Sequence, residues 1–303
     1  MDVLEEIRRG LAHLDDSGRM LPIATLPVTA PAWVFREGAT FGVAVEMESE
    51  RLVAEGFAGA RLATVDRLID GVARRFLRLE SSILALRNEF AVVCAQMVDS
   101  GSDGAARTAL LADPAAWWER WRHLLGNAVT TQPVYGTLAE LLAFERLLAQ
   151  DEDVDWRGPL GATVDLVTAA TGYEVKSTVS RYDSRVHVSG QFQLALADAR
   201  PLSLVFYRFE PGVSGESING VCWRLVAAGV AAELLDGLLT RCGLEPGCSA
   251  RDEAFAVLEC RMYQVDVDFP RIVPSSFKNG ALPPGVVHIE YQVDLSSLVS
   301  VPF

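Results

Sequence analysis

Lysine is almost absent from this chain of 303 residues. Only Lys176 and Lys278 occur, against 25 arginines. Arginine cannot replace lysine where a compact ammonium group must hold or deprotonate a water, because the guanidinium group is forked and always charged. A lysine that such a chain retains beside acidic residues therefore indicates a chemical role.

Other missing patterns exclude whole classes of enzyme. The five cysteines include no Cys-x-x-Cys pair, and their odd number fits reduced, mostly buried thiols. A zinc site built from Cys242, Cys248 and Cys260 would have irregular spacing. The four histidines contain no His-x-x-x-His pair, which excludes the zinc-hydrolase helix. Neither lysine follows a glycine, so the chain has no P-loop, and no Gly-x-Ser-x-Gly elbow occurs.

Long apolar segments are also missing. A membrane-spanning helix needs about 18 apolar residues, and the longest candidate, Leu225 to Leu239, contains Glu233 and Asp236. The amino terminus is acidic where a signal peptide is basic, and no apolar stretch follows it. Half of the residues are apolar and 22% are charged. We therefore expect a folded, cytoplasmic protein that does not enter the membrane.

The apolar pattern predicts a mixed α/β protein. Strands alternate with turns between residues 21 and 79, and Trp117, Trp118 and Trp121 have the spacing of a helix. These tryptophans could stack on nucleic-acid bases, but helical spacing favours a place in a core or a domain interface. The other predicted elements are helices over 82–98, 137–148 (with Thr137 as N-cap), 187–196 (starting near Ser189) and 231–242, a hairpin over 163–179, and strands over 202–209, 221–226 and 286–295.

One acidic and basic cluster stands out. Side chains alternate along a strand, so Glu174 and Lys176 point to one face and Val175 to the other. A hairpin symmetric about residues 169 and 170 would place Asp165 opposite Glu174. Two facing carboxylates raise each other's pKa unless a cation lies between them. Hard oxygen ligands of this kind suit Mg²⁺ or Mn²⁺.

With these residues the chain resembles the PD-(D/E)XK nuclease superfamily, which has the restriction-endonuclease-like fold. It is most similar to a bacterial family of PD-(D/E)XK motif proteins that is found in restriction-type defence clusters. The similarity is specific around residues 156–194 and looser elsewhere. The matching segments are Ala139-Glu140-Leu141-Leu142, Trp156-x-Gly158-Pro159, Asp165, Glu174-Val175-Lys176-Ser177-Thr178, Val186-x-Val188-Ser189, Gln193-Leu194, Pro270-Arg271-Ile272, Pro284-Gly285 and Tyr291-x-Val293-Asp294-Leu295.

The resemblance implies a role for each residue of the cluster. Asp165 and Glu174 bind the metal, the Val175 carbonyl contributes to the site, and Lys176 serves the attacking water. Glu140 supports the metal site, and Gln193 contacts the phosphate or the lysine. The chain departs from the family pattern at Val164, where many members have a proline before the aspartate.

Arg181 and Arg185 follow the active strand and are candidate phosphate contacts, although they could equally be solvated loop residues. His187 could contact the DNA backbone or be structural. The net charge of −13 counts against tight, autonomous DNA binding, because neutralisation of phosphates supplies much of the affinity. It favours weak binding or delivery to DNA by a partner.

The resemblance implies a restriction-endonuclease-like core, a mixed central sheet flanked by helices, within residues 126–210. Residues 1–125 would form an N-terminal β/α region for recognition, docking or dimerisation, and residues 211–303 an α/β extension packed on the core. We expect a Mg²⁺-dependent endonuclease that cleaves DNA in a restriction or phage-defence system. Its expected partners are DNA, a second copy of the chain, and methyltransferase, ATPase or helicase subunits. One alternative is a non-catalytic DNA-binding or scaffold subunit. Another is a nuclease that acts on RNA or on single strands.

Overall fold

The computed structural model describes residues 2–57, 59–69, 71–101, 103–125, 134–150, 153–195 and 200–303. These residues form a mixed α/β structure with seven α-helices and three sheets, which confirms the predicted class. They divide into two compact units. The first holds the residues up to 125 together with 246–249, and the second holds those within 134–245 and 250–303.

The first unit is an antiparallel sheet of six strands covered by helices on one face. Its apolar core joins alternate strand residues to Ile7 and Leu11 of the first helix. Trp117 and Trp118 are buried in the same core, which confirms the prediction that they are core residues. The strand order is β1-β2-β3-β6-β5-β4, and the elements are α1 (Val3–His13), β1 (Ser17–Pro22), β2 (Trp33–Glu37), β3 (Thr40–Glu46), β4 (Ala54–Phe57), β5 (Ala60–Ile69), β6 (Val72–Ser81), α2 (Arg87–Val98), α3 (Ala105–Ala112) and α4 (Pro114–Leu125).

The second unit contains a mixed sheet of six strands in the order β14-β12-β11-β9-β8-β7. The pair β9 and β11 is parallel, and the other neighbours are antiparallel. A separate antiparallel ribbon joins β10 to β13. The elements are α5 (Val134–Leu148), β7 (Asp155–Trp156), β8 (Leu166–Val167), β9 (Gly172–Thr178), β10 (Arg185–Val188), β11 (Leu202–Gly212), α6 (Ile218–Ala227), α7 (Ala232–Arg241), β12 (Ala254–Val265), β13 (Tyr291–Asp294) and β14 (Val301–Pro302).

The strand β11 is the centre of this sheet. Every residue from Leu202 to Phe209 is buried, as its continuous apolar sequence predicts. Leu202, Leu204 and Phe206 pack against the β10–β13 ribbon, and α5 packs against the neighbouring strand β9. The pairing of β11 with β12 joins the predicted nuclease core and the predicted C-terminal extension in one unit. The predicted boundary at residues 125 and 126 adjoins residues 126–133, which lie outside the described residues.

Four local predictions are wrong, in whole or in part. The strand predicted over 286–295 is present only as β13 (Tyr291–Asp294). No helix begins near Ser189, because Val186 and Val188 alternate with exposed neighbours as a strand of the ribbon; residue 196 lies outside the described residues. The segment 221–226 is part of α6 and not a strand, because Ser217 caps the helix by accepting a hydrogen bond from the Gly220 amide. Thr137 is not an N-cap, since α5 already begins at Val134.

Among the described residues, no helix combines the length and the apolar character that crossing a membrane requires.

Candidate active site

The hairpin of β8 and β9 brings Asp165 to Glu174. Leu166 pairs with Tyr173 and Val167 with Gly172, which is the predicted register, and the next position sets Asp165 opposite Glu174. The Asp165 backbone carbonyl accepts hydrogen bonds from the Arg157 and Gly158 amides, at 2.7 and 3.0 Å. Its side-chain Oδ2 accepts one from the Val175 amide at 2.8 Å. Backbone amides therefore hold both the main chain and the carboxylate of Asp165 in place.

Glu174 is the most deeply buried acid of the site, with 1% of its surface exposed. The Lys176 Nζ lies 2.8 Å from its Oε1, so the two side chains form an ion pair on one face of β9. Among the described residues, Lys176 is the only donor beside either Glu174 oxygen. One ammonium group offsets the desolvation cost of this buried carboxylate only in part, since the pKa of Glu174 stays raised.

Lys176 also approaches the turn that follows β10. Its Nζ lies 3.4 Å from the Gln193 Oε1, and the same oxygen accepts a hydrogen bond from the Ser189 amide at 2.8 Å. The turn thus holds the amide oxygen of Gln193 beside the ammonium group. The structure brings Lys176, Glu174 and Gln193 together, as the sequence predicts.

Glu140 reaches the same region from α5. It is buried, and its Oε2 accepts a hydrogen bond from the Trp156 indole nitrogen at 2.7 Å. Gly158 lies against both acids: a Cβ at this glycine would be 2.3 Å from the Glu140 Oε2 and 3.1 Å from the Asp165 Oδ1. The absence of a side chain at Gly158 therefore lets oxygens of two carboxylates approach one point.

The three acids share one arrangement. A protein donor lies beside one oxygen of each: the Val175 amide at Asp165, the Trp156 indole at Glu140 and the Lys176 ammonium group at Glu174. Each carboxylate keeps lone pairs that these donors do not use.

Burial dominates the electrostatics of this cluster. The pKa of Glu174 is raised to about 8, chiefly by burial and also by the charge of Asp165, while Lys176 opposes both. Burial also raises the pKa of Asp165, against the Val175 amide and the charge of Lys176. Raised pKa values of neighbouring acids in one cluster are typical of functional sites.

A stability measurement can detect the raised pKa of Glu174. The folded state holds this proton more tightly than the unfolded state, where the pKa is near 4.5. Without metal, the free energy of unfolding should therefore fall as the pH rises from about 4.5 to about 8. We expect wild type to lose a few kcal/mol relative to Glu174→Gln over this range. Urea unfolding in a chelating buffer would measure this loss, and a constant difference between the two proteins would contradict it.

The residues present fit a magnesium or manganese ion in the type of their ligands. Asp165, Glu174 and Glu140 supply hard oxygens, Glu174 meets no donor other than Lys176 in the described structure, and Gly158 leaves space between two acids. Among the described residues, no three His, Cys, Asp or Glu side chains are already grouped closely enough to hold a metal.

The candidate DNA-contacting residues lie outside this cluster. Arg181 forms an ion pair with Glu210, and Arg185 lies 2.7 Å from the Asp183 carboxylate. His187, on the exposed side of β10, lies 3.6 Å from a Glu290 oxygen. All three are exposed, but each is beside a carboxylate. A phosphate would have to compete with these acids.

The roles of Trp156 and Gly158 were not predicted, although both belong to the Trp-x-Gly-Pro segment of the family resemblance. The feature that could have pointed to these roles is the position of the segment, which lies a short distance before Asp165 in the sequence. No local pattern shows that the indole meets a glutamate 16 positions earlier in the chain.

Comparison with known proteins gives one match. A family model described as "Putative PD-(D/E)XK family member, (DUF4420)" matches residues 52–296. This range is most of the chain and includes all the clustered side chains described above. No curated protein and no solved structure matches. On this evidence the chain belongs to the PD-(D/E)XK family DUF4420.

Proposed function

We propose that this protein is a metal-dependent DNA endonuclease that hydrolyses phosphodiester bonds, and that its second unit has a restriction-endonuclease-like core. The observation that carries the proposal is the meeting of Asp165, Glu174 and Lys176 on one hairpin. Membership of the PD-(D/E)XK family supports it. It is also supported by the deep burial of Glu174, whose oxygens meet no donor other than Lys176 in the described residues.

Asp165 and Glu174 would hold Mg²⁺, for which Mn²⁺ could substitute, and Glu140 and the Val175 carbonyl would complete the ligands. When bound, the ion supplies positive charge that polarises the phosphate and lowers the pKa of a water. Lys176 would position the attacking water or stabilise negative charge on the phosphate. Gln193 would keep the lysine in place, because its oxygen already lies beside the ammonium group.

Arg181, Arg185 and His187 remain the proposed DNA contacts. Their carboxylate neighbours Glu210, Asp183 and Glu290 would have to be released before phosphates could bind. Together with the net charge of −13, this favours weak binding that depends strongly on salt. A homodimer, or assembly with other subunits of a restriction or defence system, would supply the missing affinity and the two active sites that double-strand cleavage needs.

The second candidate is a non-catalytic DNA-binding or scaffold subunit of such a system. The acidity of the chain and the carboxylate neighbours of its exposed arginines favour this alternative. The two functions differ in their need for metal. A scaffold has no use for converging buried acids, whereas the nuclease requires them.

The direct test is incubation of the purified protein with unmethylated plasmid and phage DNA. We expect cleavage with Mg²⁺ or Mn²⁺ and none with a chelator, because the metal supplies the charge that phosphodiester hydrolysis needs. The assay should be repeated with the products of neighbouring genes. DNA binding without cleavage under all these conditions would support the scaffold.

A further inference from the structure

We propose that Trp156 is a positioning residue that holds the Glu140 carboxylate in the geometry required for divalent metal binding. The inference rests on the proposed function, because it concerns the same site. Its basis is the 2.7 Å hydrogen bond from the indole nitrogen to the Glu140 Oε2, between two buried side chains.

The Trp156 indole donates its hydrogen bond to an acid and not to a neutral acceptor. A buried indole N–H needs an acceptor, and a backbone carbonyl or a neutral side chain would suffice. Here the acceptor is an acid on a buried face of α5. A buried carboxylate is costly unless donors compensate it, and a hydrogen bond to an ionised acceptor is roughly twice as strong as a neutral one. The contact therefore holds the Glu140 carboxyl group in this one orientation.

Gly158 lies against the same Glu140 carboxylate. The Glu140 Oε2 lies so close to this glycine that a Cβ would be only 2.3 Å away. The indole and the glycine together fix a single oxygen, and the Asp165 Oδ1 lies near the same glycine. A carboxylate offers about four lone-pair sites, and the indole N–H uses one of them. Trp156 thus orients Glu140 without occupying it fully.

The short strands β7 and β8 connect this contact to the rest of the site. Trp156 pairs with Leu166, the residue that follows Asp165. The pairing of β7 with β8 therefore places Trp156, which donates to Glu140, close to Asp165, a proposed metal ligand. A shift of Trp156 would move Glu140 relative to Asp165. Partners that orient metal ligands in this way typically contribute about 10- to 100-fold to metal affinity.

The test compares Trp156→Phe with Trp223→Phe, which makes the same substitution at an exposed tryptophan on α6. Calorimetric titration with Mn²⁺ should show affinity reduced by about 10- to 100-fold in Trp156→Phe and unchanged in Trp223→Phe. Equal affinity in wild type and Trp156→Phe would overturn the inference while leaving the metal site intact. Absence of Mn²⁺ binding in wild type would overturn the proposed function together with the inference.

A second measurement uses folded protein without a change at Trp156. The indole N–H resonance that moves in Glu140→Gln belongs to the tryptophan bonded to Glu140, since glutamine still accepts the hydrogen bond but lacks the charge. We expect this resonance to shift when diamagnetic Mg²⁺ is added to wild type. An indole whose glutamate partner lies outside the metal site would not respond, and an unchanged indole spectrum in the presence of bound Mg²⁺ would contradict the positioning role.

Discussion

Asp165→Asn should abolish tight Mn²⁺ binding and reduce DNA cleavage by at least two to three orders of magnitude, in the range found when one key electrostatic contact is lost. Asparagine keeps the size of the side chain and an oxygen that can accept from the Val175 amide, which lies 2.8 Å from Oδ2 in wild type. Only the negative charge is lost. The fold should therefore survive while the metal loses one of its two main ligands.

The matched control is Asp155→Asn on β7. Asp155 is more than half exposed and forms a 2.6 Å ion pair with Arg157, also at the surface. Exposed pairs contribute about 0–1 kcal/mol to stability, so this variant should bind Mn²⁺ as wild type does. Calorimetry on both variants, with circular dichroism to confirm folding, would decide the matter. Tight Mn²⁺ binding by Asp165→Asn would show that the metal site lies elsewhere.

Gly158→Ala has the second largest expected effect, although it adds only one carbon atom. That carbon would lie 2.3 Å from the Glu140 Oε2 and 3.1 Å from the Asp165 Oδ1, closer to the first than atoms can approach. The glycine does not have a positive φ, so the penalty comes from space and not from backbone strain. We expect Glu140 to be displaced by about 1 Å. Cleavage should then fall by about 100-fold, since a misplacement of about 1 Å can lower a reaction rate by this factor.

The control is Gly237→Ala in the middle of α7, where a Cβ would meet no atom within 4 Å. Alanine should stabilise this helix by up to about 1 kcal/mol and leave cleavage unchanged. Measured together, rates and melting temperatures separate loss of the site from loss of the fold. Wild-type cleavage by Gly158→Ala would mean that Glu140 has no part in the site.

Local patterns predicted the centre of the site well. Alternation along a strand and the symmetry of a tight hairpin depend only on neighbouring residues. They were enough to pair Asp165 with Glu174 and to place Lys176 beside them. The register of β8 and β9 follows the same local logic. The predicted arrangement is therefore confirmed in its geometry, while the chemical roles stay predictions.

Contacts between distant segments could not be read from the sequence in the same way. The indole of Trp156 meets Glu140 only because β7 lies beside α5, and Arg181 gains its carboxylate neighbour Glu210 only in the folded unit. The prediction of a strand over 221–226 failed because it considered too few neighbouring residues. The segment 221–226 is rich in β-forming residues. The buried residues of α6, however, are Ile218, Val221 and Leu225, and they follow the helical period from the N-cap Ser217 onwards.

The most direct test of the nuclease site is cleavage of unmethylated DNA with Mg²⁺ or Mn²⁺ by wild type, Lys176→Ala and Lys278→Ala. The two variants remove the only two lysines of the chain, one beside Glu174 and the other at the exposed position 278. We predict cutting by wild type and Lys278→Ala, and a loss of at least about 100-fold in Lys176→Ala, because the ammonium group stabilises charge at the reacting phosphate. Equal cutting by all three proteins would contradict the assignment of the active site.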